Sequence, residues 1–150
     1  MASSRIGENM EDRYLFKGKF DDSGRWVKGQ LVEVNDTYLI IPNHAIKILA
    51  GWFSTSHIIE VKKDTICQCT GLKDKNGKLI WENDIMVAHL DDEYPEDETY
   101  IRILWRGSEF CSKENGSEDI APIDKFDREH FEVCGNIFDN PELLESEEKQ

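Results

Sequence analysis

Glu82 and Asp84 are the residues whose types and spacing come closest to a catalytic pattern. They flank Asn83 in a short polar break between two apolar runs. Two carboxylates brought side by side in this way are what paired acid and base catalysis requires. The same spacing has a plainer use, because Asp and Glu beside a tight turn commonly accept hydrogen bonds from the turn's own amides. That use is the expected one. Trp81 stands next to the pair at a turn and is the tryptophan expected to be partly exposed, whereas Trp26 and Trp105 read as core. Together with Asn136, the three residues Trp81, Glu82 and Asp84 form the candidate binding pocket. His44, His57, His89 and His130 are scattered, and Ser54 and Ser56 beside His57 have no triad spacing. No Walker loop, His-Glu-x-x-His run or dinucleotide fingerprint occurs. No catalytic residue is assigned.

A second cluster is the run Asp91, Asp92, Glu93, Glu96, Asp97 and Glu98, interrupted by Tyr94 and Pro95. It lacks the ligand spacing and turn glycine of an EF-hand loop, so a solvated loop is expected, able to serve as an acidic interaction surface. The whole chain agrees in sign, with 18 basic against 31 acidic side chains and a net charge of −13. Duplex nucleic acid is disfavoured as a partner, because binding its phosphates depends on Lys and Arg displacing counterions. An anionic membrane surface is disfavoured for the same reason. A basic protein is what this charge attracts. Cys67, Cys69, Cys111 and Cys134 lack the paired spacing of zinc sites and are expected as reduced thiols in the core. No metal or cofactor is assigned.

Seven Phe, four Tyr and four Trp among 150 residues supply the apolar surface for one core or two small ones. No apolar run reaches the roughly 18–20 residues of a membrane span. Residues 1–9 have no apolar export segment, so a cytoplasmic location is expected.

These candidate residues must be positioned mostly by strands. Residues 14–20 are β-prone, residues 21–25 form a turn cluster, and residues 26–34 return as a hairpin. Asn35 and Asp36 make the next turn before a strand over residues 37–42. Residues 45–53 are ambiguous between strand and short helix, and residues 56–61 read as a strand. Alternation over residues 66–70 predicts a half-buried strand with Cys67 and Cys69 on one face. Asn76-Gly77 is a strong hairpin signal, followed by strands over 79–81, 85–90 and 99–105, a short partner at 109–111, and a last strand over 131–138. Residues 124–130 allow one or two helical turns. Asn140, Pro141 and Glu142 form a helix start. The expected fold class is mainly β, with short strands, partly barrel-like in the C-terminal half, and a short C-terminal helix. The expected organisation is a tail over 1–12, an N-terminal β subdomain over 13–65, a C-terminal subdomain over 66–145, and a tail over 146–150.

Two segments carry a resemblance. Thr70, Gly71, Leu72, Asp74, Gly77, Ile80, Trp81, Glu82, Asp84 and Ile85 form one, and residues 135–138 with 140–144 form the other. An aromatic-rich run at 14–20 leading to Gly24, Trp26, Val27 and Gly29 extends it to about residues 13–144. The pattern resembles the YopX family of phage and prophage proteins. One departure is that Asn83 stands where the family usually has Gly, and Asn tolerates the left-handed turn best among the other residues. The resemblance implies a β-rich fold and a mobile-element origin, and brings no activity with it.

The expected function is therefore that of a phage or prophage accessory protein of uncharacterised role acting as a non-catalytic protein-interaction module, with acidic inhibition of a basic host factor as one form of it beside the plainer use of acidity for solubility. The alternative is a small-molecule or nucleotide-binding module at the pocket near Trp81. A hydrolase using Glu82 and Asp84 ranks third. Exposed strand edges leave self-association open.

Overall fold

The first sheet is set up by strands that alternate apolar and polar residues around tight turns. The structure, a computed structural model, describes residues 10–42 and 58–145. The stretch 45–53, His44, Ser54, Ser56 and His57 lie outside the described residues. β1 (Phe16–Lys19) pairs antiparallel with β2 (Trp26–Val34), and β2 pairs with β3 (Thr37–Pro42). Between β1 and β2, Asp21 takes hydrogen bonds from the Ser23 amide and from Arg25, and the Arg25 guanidinium holds its carboxyl down to about 2. Between β2 and β3, Asn35 and Asp36 both adopt left-handed φ, 49° and 61°, the geometry of a tight two-residue hairpin turn. β4 (Ile59–Glu60) adds to β3, shorter than the strand expected over 56–61. The expected strand over 14–20 also shortens, because residues Met10–Tyr14 form a 3-10 turn that reaches into the N-terminal tail predicted over 1–12.

β5 (Cys67–Lys73) pairs with β1, and β6 (Leu79–Trp81) follows it across the Asn76-Gly77 turn, so the six strands run in the order β4-β3-β2-β1-β5-β6. A second sheet contains β7 (Asp84–Ala88), β8 (Thr99–Arg106), β9 (Glu109–Glu114), β10 (Ile120–Pro122) and β11 (Glu132–Asn136), in the order β10-β9-β8-β7-β11. The barrel-like expectation for the C-terminal half becomes an open antiparallel sheet. β10 and β11 stand at its edges, and no closed barrel is found among the described residues. Two short helices, α1 (Lys125–His130) and α2 (Glu142–Glu145), and a 3-10 turn over Lys63–Thr65 complete the described elements. α1 begins in a capping box, with Asp124 accepting from the Asp127 amide at 2.9 Å and Asp127 answering to the Asp124 amide.

The chain divides into two compact units, one over Met10–Cys69 and one that begins at Thr70, each with its own core. In the first, Val27, Ile40 and Val61 are buried with Phe16, Phe20, Leu31, Tyr38, Ile59 and Ile66 against them. In the second, Ile80, Met86, Ala88, Ile101, Ile103 and Phe131 form the core, and Leu72, Ile123 and Val133 pack on it. Each fully buried Ile or Met side chain contributes about 1.5–3 kcal/mol, so the sheets hold on packed side chains rather than on turns alone. No described helix is long and apolar enough to cross a membrane.

Candidate functional site

The carboxylate pair sits on a turn held by hydrogen bonds to β8 and to the residue that follows β11. Asn83 adopts left-handed φ, 69°, and its backbone joins the neighbouring strands. Its amide donates to the Ile103 carbonyl at 2.8 Å, and its carbonyl accepts from the Ile137 amide at 3.0 Å. The Arg102 guanidinium donates to the Asn83 side chain at 3.1 Å. Asp84 is only 3% exposed, and its carboxylate accepts from the Trp81 amide at 2.7 Å. One member of the pair is thus turned into its own turn, and Glu82 beside it is half-buried. Trp81 is 5% exposed, which corrects the expectation that it would be partly exposed. Trp105, expected in the core, is 48% exposed, edge-on to Phe110. Sequence alone could not separate the two, since both stand in apolar runs near a turn. Trp81 ends β6 within the packed sheet, whereas Trp105 lies at the outer end of β8.

Asn136 does come to the same place, because register pairs it with Asp84 across β7 and β11. Its side chain serves the chain that follows: its carbonyl oxygen accepts from the Phe138 and Asp139 amides, each at 2.9 Å, and its nitrogen donates to Asp139. Asn140 closes the loop by accepting from the Asn136 amide at 3.3 Å. That approach requires Gly135, where a Cβ would lie 2.4 Å from the Asn140 oxygen.

Asp74, named above only as part of the resemblance, joins the first matching segment to β11. Asp74 is 6% exposed; one oxygen accepts from the Asn76 and Lys78 amides at 2.8 and 2.9 Å, and the other accepts from the Val133 amide at 2.8 Å. Asn76 also donates to Glu132 at 2.7 Å, and the Lys75 amide donates to the Phe131 carbonyl at 3.3 Å. The Asn76-Gly77 turn is thereby bound to β11. The signal available in the sequence was an Asp two residues before Asn-Gly, a position that caps such turns.

The acidic loop joins β7 to β8, and residues 91–98 are all exposed. Asp91 orders it by accepting from the Glu93 and Tyr94 amides at 2.8 and 3.2 Å, the Asp97 amide donates to the Tyr94 carbonyl at 2.9 Å, and Tyr100 donates to Glu98. Asp91, Asp92, Glu93 and Asp97 line an open concavity of about 470 Å³ with Leu90 and Thr99. Leu90, in this lining, and Tyr94, elsewhere in the loop, are 42% and 54% exposed, apolar contact area that composition did not foretell. A second concavity, of about 420 Å³, opens in the N-terminal unit between Phe20, Tyr38, Val61 and the charged residues Asp36, Glu60, Lys62 and Lys63.

The four cysteines are free; Cys67, Cys69 and Cys111 are buried, whereas Cys134, expected in the core, is exposed at the edge strand β11. Among the described residues, no three His, Cys, Asp or Glu side chains are grouped as a metal site. Charge is divided unevenly. Residues 10–69 carry eight Lys or Arg against eight Asp or Glu, while residues 70–150 carry nine against twenty-two. The excess of −13 therefore lies wholly in the second half.

No curated protein matches the chain. Among solved structures, protein EF1440 from Enterococcus faecalis is similar at 22% identity and a TM-score of 0.49, over 86% of this chain and 96% of that one. The model of the YopX protein family matches residues 15–145, and with both framing segments inside that span the chain belongs to the YopX family.

Proposed function

We propose that the chain acts by binding rather than catalysis, as an interaction module whose second unit offers an acidic face to a basic partner protein. The observation that carries this reading is the loop over residues 91–98. Its carboxylates are exposed, its backbone is ordered by Asp91, and Leu90 and Tyr94 stand among the charges as exposed apolar groups. Charge of one sign steers a partner and sets its orientation, while aromatic contact supplies affinity. The concentration of the whole net charge in residues 70–150 adds to the attraction. In a phage or prophage setting this describes an accessory protein that acts in the host cytoplasm and occupies the basic surface of a host factor. The burial of Asp84 against the Trp81 amide speaks against the hydrolase reading.

The test is capture of partners from host lysate by the tagged chain at low and high salt, with a loop variant (Asp92→Asn, Glu93→Gln, Glu96→Gln, Asp97→Asn) beside it. A stoichiometric basic protein that is released by salt and lost with the loop variant is expected. A partner held equally at both salt concentrations, or equally by the variant, would overturn the acidic-face reading.

A further inference from the structure

The concavity of the N-terminal unit combines groups that the acidic-face reading does not use. Val61, 5% exposed, is its buried apolar residue, and Phe20 and Tyr38 are its aromatic lining. Its volume of about 420 Å³ falls within the range of small-molecule sites. Both rings are held by cations of the same unit, with Arg25 at 4.7 Å from the Phe20 centroid and the Lys63 ammonium at 5.4 Å from that of Tyr38. Lys62 is paired with Asp22. Among the described residues, Lys63, Asp36 and Glu60 have no ion-pair partner, so both signs of charge are available at one rim.

We propose that this concavity binds a zwitterion with a planar apolar group, of the class of the aromatic amino acids. The aromatic walls take the ring by stacking or edge contact. Lys63 takes the carboxylate, and Asp36 and Glu60 take the ammonium. A phosphate-bearing nucleotide fits less well, because two unpaired carboxylates at the rim would repel its double negative charge. A simple amine leaves Lys63 without a counter-charge. The balance of eight acidic and eight basic side chains over residues 10–69 gives the site no overall field that would exclude a neutral zwitterion.

The test is titration of the isotope-labelled full chain with L-tryptophan, followed by amide shifts. Tryptamine, indole-3-propionate, indole and adenosine monophosphate serve as probes that lack one sign of charge, lack both, or add phosphate. Tryptophan is expected to give saturable shifts confined to the segments around Asp36, Tyr38 and residues 60–63, with the single-charge and uncharged indoles at least about tenfold weaker. The exposed variants Lys63→Gln and Glu60→Gln should each weaken tryptophan by about five- to tenfold while leaving the remaining amide spectrum unchanged. No saturable shift with tryptophan, shifts centred elsewhere, indole binding as well as tryptophan, or adenosine monophosphate binding better would each overturn the proposal.

Discussion

Replacing Asp74 by Ala removes the acceptor of three backbone amides, those of Asn76, Lys78 and Val133. A hydrogen bond to a charged acceptor contributes about 1.5–3 kcal/mol, and the three are not additive because they share one carboxylate. The two turn amides can rotate toward water once the carboxylate is gone. The Val133 amide, which meets a buried side chain, has less freedom to do so. The expected loss is therefore about 3–5 kcal/mol for Asp74→Ala. Asp74→Asn separates the contributions, since it keeps an oxygen for the turn amides but turns an NH₂ group toward the Val133 amide. About 1.5–3 kcal/mol is expected there. The assay is urea unfolding of the full chain combined with amide hydrogen exchange. The chain has two compact units, so a single unfolding curve need not be two-state and the local readout decides. Exchange at Val133 should accelerate in both variants, and exchange at Asn76 and Lys78 mainly in the Ala variant. Unchanged exchange at Val133 with a stability loss below about 0.5 kcal/mol would refute the view that Asp74 joins the Asn76-Gly77 turn to β11.

Gly135→Ala should cost about 1–3 kcal/mol, because the new methyl would meet the Asn140 side chain and displace the chain leading to α2; chemical denaturation checks the size. Tyr100 should titrate well above the ordinary tyrosine range, since its hydrogen bond to Glu98 pushes its hydroxyl up to about 12, and the tyrosinate absorbance that Tyr100→Phe removes reads this directly. Its folded value is raised, so its stabilising contribution is complete below about pH 10 and is lost as pH rises through about 12. Tyr100→Phe should flatten that alkaline loss. With a thiol reagent on the native chain at neutral pH, Cys134 should react before Cys67, Cys69 and Cys111, which are buried. Its rate should still fall well below that of a free cysteine, because partial burial of the sulfur pushes the thiol up to about 11 and the sulfur donates to the Ile85 carbonyl at 3.4 Å.

Local chemistry made much of the strand plan legible. The hairpin at Asn35-Asp36 and the turn at Asn76-Gly77 are written in residues that tolerate left-handed φ, and β2 and β3 fall on the expected residues. The Asn83 turn survives its departure from glycine for the same reason. β10 escaped notice because Ile120, Ala121 and Pro122 are too few to show a period, and only pairing with β9 makes them a strand. The uneven division of charge was readable by counting each half and bears directly on which surface could take which partner.

The sequence by itself determined the family, the β-rich class, the positions of the turns and the sign of the charge, because each depends on residue types and near neighbours. Tertiary structure decided what those residues face. It buried Trp81 and exposed Trp105, directed Asp84 to a backbone amide, and set Asp84 opposite Asn136. It also gathered Phe20, Tyr38 and Lys63 around one concavity. Those outcomes rest on strand register and on which side of a sheet is covered, and a shift of one residue in pairing would reverse them.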